Sequence, residues 1–241
     1  MIKLLFLLFS GLKFGKLLTT GGTMLISLIV YAWMFGWRYA AGFVVLLFVH
    51  EMGHFIAARQ RGLNVGAPTF IPFLGAWIEM KDMPHDAETE AYVGLAGPLV
   101  GSIGALGCYF IARDMGASGQ WLLAVSYSGF FLNLFNLIPL SPLDGGRITA
   151  VLSPRLWLLG VPVLVGLFVM NPNPMLILIA IMAAPQVMKA WQFRADDPAH
   201  AAYYQTNAET RLTYGTAYVG LIVFLAMMVH DVHEMLGAGT V

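Results

Sequence analysis

Charge is scarce in this sequence. Asp, Glu, Lys and Arg make up 11% of its 241 residues, against 59% hydrophobic residues. An ordinary soluble domain carries charge on about a quarter of its residues, so this balance excludes that class and points to a chain folded in lipid. The few charges also cancel, 13 basic against 13 acidic, which leaves no basic field to attract nucleic acid. Cysteine is almost missing. The lone Cys108, inside an apolar span, excludes an intrachain disulfide and a thiolate metal cluster, and reads as a small packing residue. Long polar stretches are absent as well: the longest, Trp191 to Thr213, is too short for a separate domain.

What remains is apolar sequence broken by Gly, Pro and isolated charges. The segments 23–36, 39–60, 91–112, 119–140, 155–170, 174–190 and 214–236 each approach the roughly 20 residues needed to cross a bilayer. The fold class expected is therefore an all-α polytopic membrane protein of about six to seven transmembrane helices, forming a single domain over 1–241. Asn171-Pro172-Asn173-Pro174 reads as a tight turn between two spans. Leu4 to Phe9 could pass for the apolar part of a signal peptide. It lacks a small-residue cleavage site and Lys13 and Lys16 follow it, so 1–22 reads as a retained interfacial or partly inserted segment.

Sidedness follows from the basic residues. Alternating the spans from a cytoplasmic N-terminus puts Lys3, Lys13, Lys16, Arg59, Arg61, Lys81, Arg147, Arg155, Lys189, Arg194 and Arg211 inside, and leaves only Arg38 and Arg113 outside. That is a strong positive-inside bias, and any odd shift of topology would reverse it. It places the C-terminus outside the cytoplasm. A bacterial-type inner membrane is the expected location.

Between the second and third spans, 65–80 contains Gly66, Pro68, Pro72 and Gly75, too broken for a spanning helix. Strand-like pieces at 69–71 and 76–80 suggest a short β-hairpin or re-entrant segment; an ordinary amphipathic connector is the competing reading.

Against this background the end of the second span stands out: His50-Glu51-Met52-Gly53-His54. Ionisable groups in lipid-compatible sequence are costly unless they bind or pair with something. On a helix the two histidines share one face, roughly 6 Å apart along the axis, so both can reach one metal ion. Glu51 sits beside the first ligand, where it can take a proton from an attacking water. The pattern points to a zinc hydrolase working at membrane depth.

Catalytic zinc normally has three protein ligands, so another buried ligand is expected. Asp144 is the acidic residue set in apolar sequence within a conspicuous motif, Asn136-Leu-Ile-Pro139-Leu-Ser-Pro142-Leu143-Asp144-Gly145-Gly146-Arg147. Pro139 and Pro142 remove backbone donors and Gly145-Gly146 permit unusual dihedrals, so the fourth span must break here. Such a break is tolerated where it lines a cavity or is covered by protein, and it frees Asp144 to reach the histidines. Two other readings stay open: Asp144 caps a following helix, or it pairs with Arg147.

Together these motifs resemble the site-2 protease family, the zinc intramembrane metalloproteases of peptidase family M50. His50 to His54 looks like the family's first motif, Leu143 to Arg147 with Asn136-Leu-Ile-Pro139 is similar to its second, and Gly97-Pro98-Leu99 resembles a recurrent element between them. The likeness covers roughly 39–150, the expected catalytic core, and no PDZ or CBS domain is expected. It implies one catalytic Zn2+ held by His50, His54 and Asp144, with Glu51 as general base and Asn136 helping to bind substrate or the developing oxyanion. Asn133, one turn earlier, is a further candidate for that role. Either asparagine could instead satisfy carbonyls freed by Pro139. The implied partners are a transmembrane protein substrate and the lipid bilayer.

Other features fit blander roles. His230-Asp-Val-His233-Glu234 has the wrong order for a zinc motif and reads as an interfacial helix end; His85 and His200 read as solvated loop residues. Gly94, Gly97, Gly101, Gly104 and Gly107 read as a stripe for close helix packing. A metal-dependent transporter would also use broken spans, but no repeat is present. A catalytically inactive relative is the other alternative, and the intact Glu51 argues against it.

Overall fold

Gly36, in the left-handed region at φ 83°, turns the chain between the first two helices, a conformation open to glycine at little cost. The computed structural model describes residues 12–72, 75–80, 82–194 and 202–238; Lys3, the run Leu4 to Phe9, Lys81 and His200 lie outside them. The helices are α1 Leu12–Phe35, α2 Trp37–Gln60, α3 Ala87–Asp114, α4 Gln120–Asn136, α5 Asp144–Ala150, α6 Gly160–Met170, α7 Pro174–Gln192 and α8 Ala208–Ala238. The strands are β1 Val65–Ile71 and β2 Gly75–Met80. Two of these elements differ from the sequence expectation. Helix α1 already begins at Leu12, within the segment read as interfacial, and the fourth apolar segment stops being helical at Asn136.

Among the described residues, α2, α3, α7 and α8 are long and apolar enough to cross a membrane, and shorter apolar helices cover Thr20–Phe35 and Pro154–Met170. Large side chains point outward without protein cover, among them Trp33, Ile103, Val169 and Ile181. In water such a surface would drive association; around apolar helices it suits lipid, and the chain is an integral membrane protein.

Helices α2, α3, α4 and α8 meet in the main core through Leu46, Ala105, Val125, Phe130, Leu225 and Val232. Helix α3 is started by Asp86, whose carboxylate accepts from the Thr89 N–H at 2.6 Å, with Glu88 and Glu90 in the first turn. Both features favour a helix N-terminus. The turn before α7 is built on the same logic: Asn173 caps the helix through the Met175 N–H and Pro174 fills its first position.

The segment 65–80 is a hairpin, with β1 and β2 antiparallel in the register Pro68 opposite Ile78 and Phe70 opposite Ala76. Phe70 buries its ring among Tyr31, Val44 and Leu47, which fastens the hairpin to α1 and α2. At its base Asp82 accepts from the Asn64 backbone and side chain, and these bonds hold its carboxyl below the usual carboxylate range. The outer edge of β1 is closed by α1: Thr20 donates to the Pro68 carbonyl at 2.6 Å, and the Phe70 N–H donates to Thr23 Oγ1 at 3.1 Å. Pro68 and Phe70 thus direct backbone groups away from β2. In an antiparallel ladder their partners must do the same, so Ile78 and Ala76 face their backbone groups outward from the other edge of β2, which is free among the described residues.

Candidate metal centre

Helix α2 carries His50 and His54 on consecutive turns with Glu51 beside the first, and all three are buried, as is Asp144 at the start of α5. Asp144 is brought there by the break after Asn136. The Leu137 carbonyl exposed by this break accepts from the Tyr218 hydroxyl of α8, and within α5 the Gly146 carbonyl accepts from the Trp157 indole at 2.8 Å. The Ser141 N–H is taken by Gln186 of α7. Gly145 and Gly146 serve space rather than dihedral freedom. A Cβ on Gly145 would lie 2.2 Å from the Leu137 carbonyl oxygen, and one on Gly146 would lie 2.6 Å from the Ser141 nitrogen.

Three ligand groups converge. His50 Nε2 and His54 Nε2 are 3.1 Å apart, His50 Nε2 lies 3.2 Å from Asp144 Oδ2, and His54 Nε2 lies 3.1 Å from Asp144 Oδ1. Ligands about 2.1 Å from a tetrahedral zinc would stand roughly 3.4 Å apart, so this spacing fits one small cation. The far sides of the rings decide the protonation. His54 Nδ1 meets the Val93 carbonyl at 2.7 Å, which can only accept, so the proton is on Nδ1 and the Nε2 lone pair faces inward. His50 Nδ1 meets Asn133 Oδ1 at 2.7 Å and is protonated in the same way. One added proton between His50 and Asp144 would still leave the His54 lone pair against a carboxylate oxygen. Two added protons would set imidazolium against imidazolium. A single divalent cation satisfies all three ligands, and His50, His54 and Asp144 form a group that could hold one.

Glu51 is also buried and within electrostatic reach of His54, His50, Asp144 and Arg147. Within the described residues no hydrogen bond or ion pair holds its carboxylate. Asn136 ends α4 half-buried, and its side chain makes no hydrogen bond among the described residues. Neither competing reading of Asp144 is realised. The α5 cap residue is Leu143 without a side-chain bond, and the recorded partners of Asp144 are the two histidines. The Leu137 carbonyl accepts from Tyr218 and the Phe135 carbonyl from the Ile138 N–H, so neither is taken by an asparagine side chain.

Within the glycine stripe of α3, Gly104 packs against Leu46 and Val49 of α2 as a helix-packing glycine does, whereas Gly97 lies against the centre. A Cβ on Gly97 would stand 2.2 Å from His54 Nε2, and Gly53 of α2 lies so near α3 that its Cβ would be 2.5 Å from the Ala96 oxygen. Sequence spacing showed the stripe, but nothing in it distinguishes a helix neighbour from an imidazole. The other histidines stay apart: His85, His230 and His233 are exposed, and the His233 ring lies 5.8 Å from Tyr127.

Apolar helices enclosing two imidazoles and a carboxylate that share one cation position define the class: an integral membrane protein with a buried His-His-Asp centre on an H-E-x-x-H helix. Residues 38–119 match the model of peptidase family M50. A zinc metalloprotease of Methanocaldococcus jannaschii is 35% identical over 119 residues, which are 46% of this chain and 34% of that protein. The Rip3 protein of Mycobacterium tuberculosis is 34% identical over 128 residues, 50% of this chain and 32% of Rip3. The solved site-2 protease from Methanocaldococcus jannaschii aligns at a TM-score of 0.47 with 21% identity, covering 76% of this chain and 87% of that one. The chain spans about a third of the length of the curated relatives it matches.

Proposed function

We propose that this chain is an intramembrane zinc metalloendopeptidase, hydrolysing peptide bonds within or near transmembrane segments of membrane-protein substrates. The observation that carries the reading is the inward convergence of two imidazole lone pairs and a carboxylate beside an unbonded glutamate. His50, His54 and Asp144 hold the zinc, and the core spans about 39–150 of a single domain over 1–241. Zinc bound there supplies Lewis acidity toward the scissile carbonyl and toward water. Glu51 takes the proton of the attacking water and returns it to the leaving nitrogen. Asn136 addresses the substrate or its developing oxyanion. Helices α1, α4 and α6 complete a seven-span topology with N-terminus and active site toward the cytoplasm of a bacterial-type inner membrane, supported by the distribution of Lys and Arg.

The test is metal removal. Protein purified in detergent should carry close to one zinc per chain and cleave a model transmembrane helix. Stripping the zinc with a chelator should abolish cleavage, and adding zinc back should restore it. Full cleavage by zinc-free protein would refute the reading.

A helix in lipid has its backbone bonds satisfied internally, so the scissile segment must be extended before it is cut. Pairing with the free edge of β2 replaces the lost bonds. Ala76→Pro removes an outward N–H while leaving the β1–β2 ladder intact, the arrangement in which an edge proline is tolerated. The variant should bind zinc normally and lose most cleavage of a helical substrate. Unchanged cleavage would remove the pairing step.

A further inference from the structure

We infer that Asn133 is a positioning residue for the metal centre, fixing the tautomer and ring orientation of His50; this rests on the proposed zinc site. Asn133 is buried on α4, 1% exposed, three residues before the motif that carries Asn136. Its Nδ2 donates to the Gly129 carbonyl at 2.8 Å. A carbonyl can only accept, so the amide nitrogen is committed to that side and Oδ1 must face His50. Oδ1 then accepts from His50 Nδ1–H at 2.7 Å, which leaves the His50 lone pair on Nε2, aimed at Asp144 and His54. Helix α3 makes the room: a Cβ on Gly101 would lie 2.5 Å from Asn133 Oδ1.

The two histidines are therefore held differently. The Val93 backbone orients His54 and no substitution there removes the acceptor, whereas His50 depends on one replaceable side chain. Partners that orient a ligating histidine typically contribute on the order of 10- to 100-fold in metal affinity. Asn133 acts through His50 and touches neither substrate nor reacting atoms, a role distinct from that of Asn136.

The experiment measures zinc affinity of the full chain in detergent by competition with a chromogenic chelator, alongside the melting temperature of the zinc-stripped protein. Asn133→Leu removes the acceptor and should weaken zinc on the order of 10- to 100-fold. Asn133→Asp keeps an oxygen facing His50 and should recover most of that loss. Asn133→Ser bonds back to the Gly129 carbonyl but falls short of His50, so it should bind zinc as poorly as the Leu variant while melting closer to wild type when stripped. A purely structural role would lower the melting temperature and leave affinity unchanged in all three, which overturns the proposal. If the Leu variant does not fold, the Ser and Asp variants decide, and equal affinities overturn it. Wild-type protein that binds no zinc would instead overturn the metal centre itself.

Discussion

Glu51→Gln is expected to keep its zinc and lose cleavage by on the order of 10²- to 10⁴-fold, the usual contribution of a positioned acid–base group. The substitution keeps the shape of a buried side chain and removes its basicity. Glu51 is not among the three converging ligand groups, so the metal should stay. No bond within the described residues anchors the carboxylate, so its loss leaves no partner stranded and the fold should tolerate it. Zinc content, melting temperature and turnover of a model transmembrane helix would be measured on the same preparation. A Gln variant that cuts as fast as wild type would exclude Glu51 as the proton carrier.

Gly97→Ala is expected to abolish zinc binding altogether, although the residue ligates nothing. Its added methyl would sit 2.2 Å from His54 Nε2 and 2.3 Å from Cε1, within the ring's own volume. The ring cannot slide aside cheaply because its Nδ1 is bonded to Val93 on the same helix that carries the new methyl. Removing a ligand from its position should cost at least the 100-fold at the upper end of the effect of orienting partners. Gly107→Ala, where a Cβ meets nothing within 4 Å, provides the contrast: it should bind zinc normally and, by relieving glycine's backbone entropy, gain up to about 1 kcal/mol of stability. Zinc retained at wild-type affinity in Gly97→Ala would mean that α2 and α3 are further apart than described.

The parts of this site that were legible in the sequence are those where chemistry and spacing coincide. His50, Glu51 and His54 announce themselves because two imidazoles four residues apart on an apolar helix have few other uses. Asp144 was legible because prolines and glycines break an apolar run around an isolated acid. The supports were not. Tyr218, Trp157 and Gln186 close the broken segment from elements far along the chain, and each looks like an ordinary side chain of an apolar or interfacial helix. Thr20 and Thr23 belong to a stretch that the sequence leaves without a role until β1 is seen beside it. Gly97 and Gly101 were visible as a pattern, but their meaning lies in what fills the space opposite. Asn133 stands out in the sequence only as a neighbour of Asn136 one turn away, and its contacts with His50 and the Gly129 carbonyl have no signature in the spacing.

The two threonines of α1 also bear on how copies of this chain can meet. Paired hairpins usually offer two raw edges, a route to open-ended stacking. Here Thr20 and Thr23 engage one edge, so each copy has a single side to offer. Two copies joining there form a four-stranded sheet whose far edges are both spoken for, a closed twofold pair rather than the start of a filament. Any peptide strand laid on β2 competes for that same seat.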